Sequence, residues 1–343
     1  MMLPRVAVLI VGYNSRKFLP DLLSSLEKST YQNFSIFYLQ NSTEDGDIDF
    51  IKKNFPKVIC YTSSKNLGFA GGNNYLAKQA LKGPNQKFDA LFLLNPDTIV
   101  AADCLEKIAG KFSEMTIVQP LILNYDKGKT DLVNTWGNPL HYLGFSYAGG
   151  YRESASSVAA KDITLASGAA LLVSVPLWTK LGGFAEEFFM YHEDADLSLR
   201  ARLRGADIVL NPEARVWHKY HFSRNKNKYY YTERNRQLLL LRNFQTRTLL
   251  ILLSMFLFTE VAMFIFSLMG GFFKEKLRAN IDALKMAGKA RKFYRDNLVS
   301  RRISDKLLYP HLSDSLKFSE IDGLGIRIYN IFSKMYWLLV KNI

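Results

Sequence analysis

Asp97 is the first residue of this chain whose type and position suggest catalytic chemistry. It ends the segment Leu-Leu-Asn-Pro-Asp at residues 93–97, directly after an apolar run. A carboxylate at the end of a buried strand suits Mg²⁺ or Mn²⁺, because these cations bind few protein carboxylates and complete their coordination with phosphate oxygens. The alternative is a structural role in which Asp97 caps the turn or helix that follows.

A second acidic segment contains Glu193, Asp194 and Asp196 at the start of a predicted helix. The positive end of a helix stabilises acidic groups, so helix capping alone could account for them. Capping does not account for the preceding residues 189–191, Phe-Met-Tyr, which would form an apolar wall. A carboxylate beside such a wall and a metal–nucleotide site could accept a proton from an attacking hydroxyl group.

Residues 66–74 read Asn-Leu-Gly-Phe-Ala-Gly-Gly-Asn-Asn and open another predicted helix. Closely spaced glycines let backbone N–H groups approach a phosphate or a sugar, although a tight helix entry without a ligand has the same composition. Neither G-x-G-x-x-G, the dinucleotide-binding pattern, nor the phosphate-binding G-x-x-x-x-G-K-[ST] occurs here.

His218 follows a predicted strand and could supply an imidazole to a metal. A single histidine beside a tryptophan, here Trp217, is more often a packed structural residue. The other histidines show no spacing to a partner and are assigned no role: His141, His192, His221 and His311.

The first half of the chain alternates strand-like apolar runs with helical spacing, which predicts a mostly parallel α/β sheet flanked by helices on both faces. The predicted strands and helices are residues 6–11, 34–39, 58–62 and Ala90–Leu94, and residues 15–28, Asp47–Asn54 and 70–82. In such sheets ligands bind beyond the carboxyl ends of the strands. Residues 13–14, 40–41 and 95–97 fall at those ends, so the topology predicts that they share one crevice.

The second half begins with irregular residues 121–165, which are expected to form a sheet edge or a loop insertion. The further predicted elements are a strand at residues 169–175, a helix at 193–204, a strand at 207–210 and a helix at 228–243.

Residues 248–273 are almost wholly apolar and long enough to cross a hydrocarbon core of about 30 Å as a helix. Glu260, near the middle, would cost about 2–3 kcal/mol if it were unpaired. Basic residues flank both ends, so a spanning helix, an in-plane helix or hairpin bent near Gly270, and a buried core helix all stay open. Membrane attachment is the favoured interpretation, and it suggests a lipid-linked acceptor.

The charge distribution points to the same region. Of the 45 Lys and Arg residues, 15 lie in residues 274–343, together with 7 of the 31 Asp and Glu residues. A basic surplus concentrated in the tail favours an anionic membrane surface or ligand over a protein that coats nucleic acid.

Cys60 and Cys104 offer no disulfide framework and no metal-finger spacing, which suits a reducing compartment. The N-terminal apolar run has only the length of a strand and is not expected to be a signal peptide.

Taken in order, these segments resemble the inverting glycosyltransferases of family 2, which have the GT-A fold, and within them the rhamnosyltransferase-like members. No single piece is decisive, but the ordered set is specific. The matching segments are residues 8–14, 40–46, 66–73, 94–97, 167–169, 182–184, 193–197 and 217–218.

The resemblance implies a role for each segment. Asp97 would bind Mg²⁺ or Mn²⁺ with His218 as a second ligand, and Asp194 would be the general base with Glu193 as its neighbour on the acceptor side. The residues expected to line the nucleotide and donor sugar are Tyr13, Asn14, Gln40, Asn41, Asn66, Gly68, Phe69, Gly72, Asn73 and Asn95. Gln40 stands where the family usually has an aspartate, and its amide can still pair with a pyrimidine edge, so UDP and dTDP donors both stay open.

The expected protein is therefore a two-part enzyme of surface polysaccharide synthesis at the cytoplasmic face of the cell membrane. Residues 1–243 would form the GT-A domain, and residues 244–343 a membrane-associating helical region with a basic tail. Its expected partners are a nucleotide-sugar donor, a saccharide or lipid-linked acceptor and a membrane surface. Self-association into a homo-oligomer is also open, and no nucleic acid is expected.

Three rival functions compete with this interpretation. A sugar nucleotidyltransferase would need a Gly-rich loop with an Arg after the first strand, where residues 12–15 read Gly-Tyr-Asn-Ser. A non-catalytic, membrane-bound carbohydrate-binding protein is admitted by Gln40 but opposed by Asp97 and Asp194. Nucleic-acid binding through the tail lacks any matching module.

Overall fold

The computed structural model describes residues 3–42, 45–82, 87–219, 226–318 and 323–342. The chain forms two units, which are considered separately. Unit 1 comprises Met1–Asn138, Gly149–Ala201 and Ala206–His221; unit 2 comprises Pro139–Ala148, Arg202–Gly205 and Phe222–Ile343. Unit 2 therefore joins two short segments from the middle of the chain to the residues from Phe222 onward, whereas the expected division lay at residue 244.

The strands of the described part, in chain order, are β1 (Val6–Gly12), β2 (Phe34–Asn41), β3 (Ile59–Ser63), β4 (Ala90–Leu94), β5 (Thr98–Val100), β6 (Thr116–Tyr125), β7 (Lys129–Thr135), β8 (Leu140–His141), β9 (Lys161–Asp162), β10 (Ala170–Ser174), β11 (Asp207–His218) and β12 (Leu312–Ser313). The α-helices are α1 (Leu19–Glu27), α2 (Asp47–Asn54), α3 (Gly68–Ala80), α4 (Cys104–Ala109), α5 (Val175–Leu181), α6 (Glu193–Leu203), α7 (Lys226–Asn243), α8 (Thr246–Gly270), α9 (Phe273–Asn297), α10 (Asp305–Leu308) and α11 (Leu324–Val340).

Unit 1 contains one mixed sheet with the order β3-β2-β1-β4-β10-β6-β11-β5. The predicted parallel pairing holds from β3 to β4. Beyond β4 the directions alternate, because β10 runs antiparallel to both β4 and β6, whereas β11 is parallel to β6. Strand β7 follows β6 after a short turn and pairs with it antiparallel, as strands joined by a short hairpin must. Residues 121–165 were expected to be irregular, but 121–125 complete the internal strand β6 and 129–135 form β7.

Burial of β1 on both faces explains why helices cover the sheet on both sides. Ala7, Leu9 and Val11 pack into one apolar cluster with α3, α5 and α6. The alternating residues Val6, Val8 and Ile10 pack into a second cluster with α1 and α4. Successive strand side chains point to opposite faces, so one continuous apolar run supplies both layers.

Two elements differ from their predicted bounds in ways that matter for the site. The first helix begins at Leu19 instead of residue 15, with a proline in its first turn, and Ser15 hydrogen-bonds to Tyr38 and Asp47 instead. Strand β11 extends eight residues beyond the predicted strand at residues 207–210, after an irregularity between Asn211 and Arg215. This extension carries His218 to the end of β11, where it pairs with β5.

Unit 2 is mainly helical. Helices α7 and α9 pack along one another, and β8 pairs with β12 in a small parallel sheet. The side chains of Arg236 and Lys276 are fully buried within this unit. Helix α8 covers most of the apolar stretch predicted at residues 248–273.

The contact between α3 and β1 generates a stability prediction. A Cβ atom added at Gly72 would lie 2.7 Å from Val11 Cγ1. We expect Gly72→Ala to lower the free energy of unfolding by about 1–3 kcal/mol through overpacking. Gly110→Ala is the matched control, because a Cβ there meets its nearest atoms at an ordinary 3.5 Å. Urea unfolding midpoints would test this, and equal midpoints for the two variants would contradict it.

Candidate active site

The parallel strands β1, β2 and β4 place their carboxyl ends at one edge of the sheet. Gly12 pairs directly with Gln40, so the predicted ligand residues after β1 and at the end of β2 are neighbours. Tyr13 is 54% exposed, and Asn14 has a left-handed backbone with φ of 51°. The end of β1 therefore presents an accessible aromatic ring on a tightly turned backbone.

Asn41 holds the loop between β3 and α3 in place. Its buried side-chain Nδ2 donates to Asn66 Oδ1 at 3.1 Å and to the Gly68 carbonyl at 3.3 Å. Its Oδ1 accepts from the Leu67 N–H at 2.9 Å. Because both ends of the Asn41 amide are occupied by this loop, the residue orients the predicted donor-binding segment and does not project into open space.

Gly68 and Phe69 bring the start of α3 against the segment that precedes α6. Gly68 has φ of 69°, and a Cβ at this position would lie 2.4 Å from the Phe189 carbonyl oxygen. The same carbonyl accepts a hydrogen bond from the Ala70 N–H at 3.1 Å. The Phe69 ring lies 5.7 Å from the ring of Phe184. The glycine therefore permits a backbone approach that any side chain would block.

Gly72 and Asn73 have packing roles in this structure. Gly72 lies against Val11 of β1, and the buried Asn73 donates from Nδ2 to the Phe69 carbonyl at 2.9 Å within α3. Both were expected to line the donor. The close approach of Gly72 to Val11 sets α3 against the sheet, and the Asn73 bond lies within α3.

Residues 189–192 enter α6 through a strained backbone. Phe189, Tyr191 and His192 have φ of 63°, 66° and 68°, a region that residues other than glycine seldom adopt. Such conformations cost of order 1–3 kcal/mol each and persist where the surrounding structure holds them, often at active sites. The predicted aromatic wall is thus part of a constrained loop directly before the acidic residues.

Asp194 is held by two backbone donors. Its Oδ2 accepts from the Gly168 N–H at 2.8 Å, and its Oδ1 accepts from the Ala195 N–H at 2.8 Å. Burial raises the pKa of Asp194, and these backbone hydrogen bonds oppose the rise. The carboxylate is therefore fixed in orientation and has a greater proton affinity than an exposed aspartate.

Glu193 has a different environment. Its side chain is 5% exposed, and among the described residues no hydrogen-bond partner reaches Oε2. Burial raises the pKa of Glu193 well above its ordinary value, and the neighbouring Asp194 adds to this effect. The two adjacent acids therefore differ in proton affinity, and the protonated, neutral form is favoured more strongly at Glu193 than at Asp194.

Asp97 and His218 meet just beyond the carboxyl end of β4, where β11 pairs with β5. The pairing of β11 with β5 sets His218 opposite Thr98, which follows Asp97. His218 Nε2 lies 3.2 Å from Asp97 Oδ1, and the Lys219 N–H donates to the Asp97 carbonyl at 2.8 Å. Strand β11 therefore places the imidazole against the carboxylate.

This pair suits a divalent cation that takes few protein ligands. A carboxylate oxygen and an imidazole nitrogen are acceptable donors for Mn²⁺, and the carboxylate for Mg²⁺. Within the described ranges no three His, Cys, Asp or Glu side chains cluster as a metal site. The residues present therefore fit a cation whose remaining coordination comes from phosphate oxygens and water.

The loop at residues 167–169 touches both acidic segments. The Asn95 N–H, two residues before Asp97, donates to the Ala169 carbonyl at 2.9 Å. The adjacent Gly168 N–H donates to Asp194. A Cβ at Gly168 would lie 3.2 Å from the Phe69 ring and 3.4 Å from Asp194 Cβ, so this loop joins the predicted metal, donor and base segments.

The Asp196–Arg200 ion pair was not predicted. Asp196 Oδ2 accepts from Arg200 Nε at 2.7 Å with both side chains buried. Arg200 also donates to the carbonyls of Leu181 at 2.7 Å and Gly183 at 2.9 Å. The i,i+4 spacing of opposite charges on a predicted helix was the available signal, but such pairs are usually exposed. Here the pair anchors α6 to the turn after α5.

Comparison with solved structures identifies the class of fold. The chain is similar to GalNAc-T7 bound to UDP, GalNAc and Mn²⁺, with a TM-score of 0.59 and 14% identity. That match covers 72% of this chain and 49% of the other, so this chain spans about half of its length. It is also similar to a fragment of S. aureus TarS in complex with UDP-GlcNAc, with a TM-score of 0.54, 16% identity and 93% and 95% of the two chains covered. These likenesses describe the fold alone.

Residues 4–239 match the family described as "Glycosyltransferase like family 2", and the chain belongs to this family. It is 26% identical over 229 residues to an N-acetylglucosaminyl-diphospho-decaprenol L-rhamnosyltransferase of Mycobacterium tuberculosis, covering 62% of this chain and 75% of that protein. It is 25% identical over 214 residues to the low-salt glycan biosynthesis hexosyltransferase Agl10 of Haloferax volcanii, covering 60% and 64%. The predicted family, fold class and glycosyltransferase activity are thereby confirmed.

Glu193→Gln should stabilise the protein in a pH-dependent way. Below the ordinary glutamate pKa of about 4.3, the carboxyl is protonated in both the folded and unfolded chain. Above it the unfolded chain ionises while the folded chain retains the proton, so the wild type loses stability as the pH rises toward the raised pKa. The glutamine variant lacks this titration and should gain on the order of 1 kcal/mol at neutral pH and little in acid.

Melting temperatures of the two proteins measured between about pH 4 and about pH 8 check this sign. Glu114→Gln, at an exposed position, is the control and should show no such trend. A difference between Glu193→Gln and wild type that stays constant with pH would contradict the assignment of a raised pKa.

Proposed function

We propose that this chain is a metal-dependent, inverting glycosyltransferase of surface polysaccharide synthesis. It transfers a sugar from a dTDP- or UDP-sugar to a hydroxyl of a saccharide or lipid-linked acceptor. The observation that carries the proposal is the link through residues 167–169, which joins the doubly held Asp194 carboxylate to the strand end bearing Asp97 and His218. One acid would thus serve the donor and the other the acceptor within one edge of the sheet.

On the donor side, Asp97 and His218 would hold the cation. When bound, Mg²⁺ or Mn²⁺ would neutralise negative charge on the diphosphate leaving group. GalNAc-T7 and the Pyrobaculum calidifontis mannosyltransferase PcManGT, which share the fold, were both solved with Mn²⁺. Tyr13, with Gln40 beside it at the strand ends, would border the nucleotide, and the amide of Gln40 can both donate to and accept from a pyrimidine base.

On the acceptor side, Asp194 would accept the proton of the attacking hydroxyl. The acceptor oxygen forms a bond to the anomeric carbon from the face opposite the nucleotide, and the bond to the diphosphate oxygen breaks with its electron pair. One displacement inverts the anomeric centre and requires no enzyme nucleophile. The raised pKa of Asp194 favours this role, because a general base works best when its pKa approaches the working pH.

Rhamnose is the first donor sugar to test, and a lipid-linked diphosphate the first acceptor. The mycobacterial relative is named as an L-rhamnosyltransferase of N-acetylglucosaminyl-diphospho-decaprenol. Within the described residues, Thr246–Gly270 is the one helix long and apolar enough, by length and composition, to cross a membrane. We therefore place the enzyme at the cytoplasmic face of the cell membrane, where a soluble nucleotide sugar and a lipid-borne acceptor both have access.

Asp194→Asn should reduce transfer by about 10²–10⁴-fold while donor binding persists, because the amide keeps the shape of the side chain but accepts no proton. Incorporation of radiolabelled sugar into the lipid extract of producing membranes measures transfer, and calorimetry with UDP- and dTDP-sugars measures binding. Asp49→Asn, at an exposed position on α2, is the control. Full transfer by Asp194→Asn would remove this residue from the base role.

Asp97→Ala should abolish the part of nucleotide binding that depends on metal. In the wild type, Mn²⁺ is expected to increase thermal stabilisation by UDP or dTDP, and EDTA to remove this increase. The variant should respond to nucleotide equally with or without Mn²⁺, whereas Asp49→Ala should behave as the wild type. A wild-type protein whose nucleotide affinity ignores Mn²⁺ would contradict the cation proposal.

A further inference from the structure

Glu260, the acidic residue in the apolar helix α8, belongs to a buried cluster of four charges in unit 2. Its carboxylate pairs with Arg236 of α7 and with Lys276 of α9, the latter at 2.8 Å. Glu233 of α7 completes the cluster, at 2.6 Å from Lys276 and 3.2 Å from Arg236. Burial opposes ionisation of Glu233, but Arg236 and Lys276 lower its pKa to about 2. The cluster thus holds two positive and two negative charges in a charge-balanced core.

This cluster ties the middle of α8 to two other helices. Asn280 of α9 also donates to Glu260 Oε2 at 2.8 Å, and the rings of Phe264 and Phe273 lie 6.0 Å apart across the turn between α8 and α9. The first turns of α9 therefore run back along the second half of α8. If α8 crossed a bilayer, this part of α9 would have to enter the hydrocarbon with it.

The exposed charges of α9 oppose such an insertion. Its exposed cations are Lys274, Arg278, Lys285, Lys289, Lys292 and Arg295. Charged side chains facing hydrocarbon are strongly disfavoured, and helix α7, which carries the other half of the cluster, would be drawn in as well. The packing is therefore incompatible with α8 as an independent spanning helix.

Helix α8 is not a core helix either. One stripe of it is buried and includes Leu252, Met255, Thr259 and Glu260. The opposite stripe is exposed along the whole helix and consists of Leu250, Leu253, Leu257, Val261, Ile265 and Leu268. A solvent-facing apolar stripe of this length indicates an interaction surface.

Helices α9 and α11 add to this apolar surface. Helix α11 contacts α8 through hydrogen bonds between the Tyr329 hydroxyl and Thr259 and between the Tyr336 hydroxyl and Ser254, both at 3.0 Å. Its exposed apolar residues are Leu324, Ile328, Ile331, Met335, Leu338 and Leu339. Helix α9 exposes Phe273, Leu277, Ile281 and Leu284 at helical spacing. Lys274, Arg278 and Lys285 each follow one of these apolar residues by one position. Asp282 occupies the remaining such position and lies 3.7 Å from Arg278 and 3.6 Å from Lys285. Exposed cations therefore outnumber the acid in a stripe beside the apolar one.

We propose that the exposed faces of α8, α9 and α11 form a monotopic docking surface for an anionic lipid bilayer. Helix α8 lies in the plane of the membrane, and the four-charge cluster keeps it on the protein. An apolar stripe bordered by cations is the pattern by which helices bind the headgroup boundary of anionic membranes. This inference deepens the proposed membrane association by stating how the membrane is bound.

Cysteine labelling tests the in-plane orientation. The full chain with Cys60→Ser and Cys104→Ala receives a single cysteine at Arg247→Cys, in the first turn of α8, or at Lys274→Cys, just after α8. Each protein is treated with a membrane-impermeant maleimide in sealed vesicles of both orientations. We expect both positions to react from the same side of the membrane. Reaction from opposite sides would show a spanning helix and overturn the proposal.

Flotation with phosphatidylcholine vesicles, with and without phosphatidylglycerol, tests the surface itself. Leu257→Glu with Val261→Glu should lower the bound fraction by about tenfold or more on both vesicle types, because apolar burial is lost. Lys285→Glu with Lys289→Glu should lower binding by about tenfold or more only where phosphatidylglycerol is present. The matched controls in unit 1, Leu3→Glu and the pair Lys53→Glu and Lys57→Glu, are exposed and should bind as wild type.

Unchanged flotation of both unit 2 variants would overturn the proposal. A second outcome would also overturn it: Leu257→Glu with Val261→Glu converts a dimer to a monomer in light scattering but leaves flotation unchanged. The apolar face would then bind a second copy of the chain instead of a membrane. A melting temperature and donor-nucleotide binding equal to wild type show that each variant is folded. Labelling and flotation do not require sugar transfer, so their failure rejects the docking surface and leaves the proposed transferase reaction standing.

Discussion

The buried ion pair between Asp196 and Arg200 is the interaction on which the position of the candidate base depends. The guanidinium group uses its remaining donors for the carbonyls of Leu181 and Gly183, so a single side chain joins α6 to the turn after α5. Removing one partner of such a pair leaves an uncompensated buried charge and costs about 3–5 kcal/mol. Asp194 lies only two residues earlier, and the orientation of its carboxylate is therefore coupled to this anchor.

The base segment is also held from its other side. The Phe189 carbonyl accepts from the first turn of α3, and the Gly168 N–H donates to Asp194. Between these contacts Phe189, Tyr191 and His192 are kept at positive φ. A strained loop persists only where contacts with the surrounding structure hold it in place. These contacts therefore orient the Asp194 carboxylate before any ligand binds.

In unit 2, as in unit 1, buried charges are stabilised by pairing with opposite charges, but there the pairing holds an apolar helix instead of a candidate base. Two acids and two cations, each costly to bury alone, compensate one another between α7, α8 and α9. Their effect is to bind an otherwise apolar helix to the protein along one face and leave its other face exposed. Charge pairing thus attaches α8 to α7 and α9 along one face of the helix.

The sequence by itself determined the class of fold and the family, and it indicated the segments of the candidate site. Helices, strands and the polar residues at strand ends are indicated by patterns among residues that are close in sequence. For example, the helix Asp47–Asn54 and the strand Ala90–Leu94 have the bounds expected for them. The sequence also indicated Asp97, Asp194 and His218 as candidates.

Only the tertiary structure decided which distant groups meet. The distance between Asp97 and His218 depends on the extension of β11 past an irregularity and on its antiparallel pairing with β5. Glu260 has no partner nearby in the sequence, because its partners lie on two other helices, Arg236 on α7 and Lys276 on α9. The bond of the buried Asn73 to the Phe69 carbonyl within α3 is likewise visible only in the structure. Side-chain pairing is set by packing across elements, and local sequence carries no record of it.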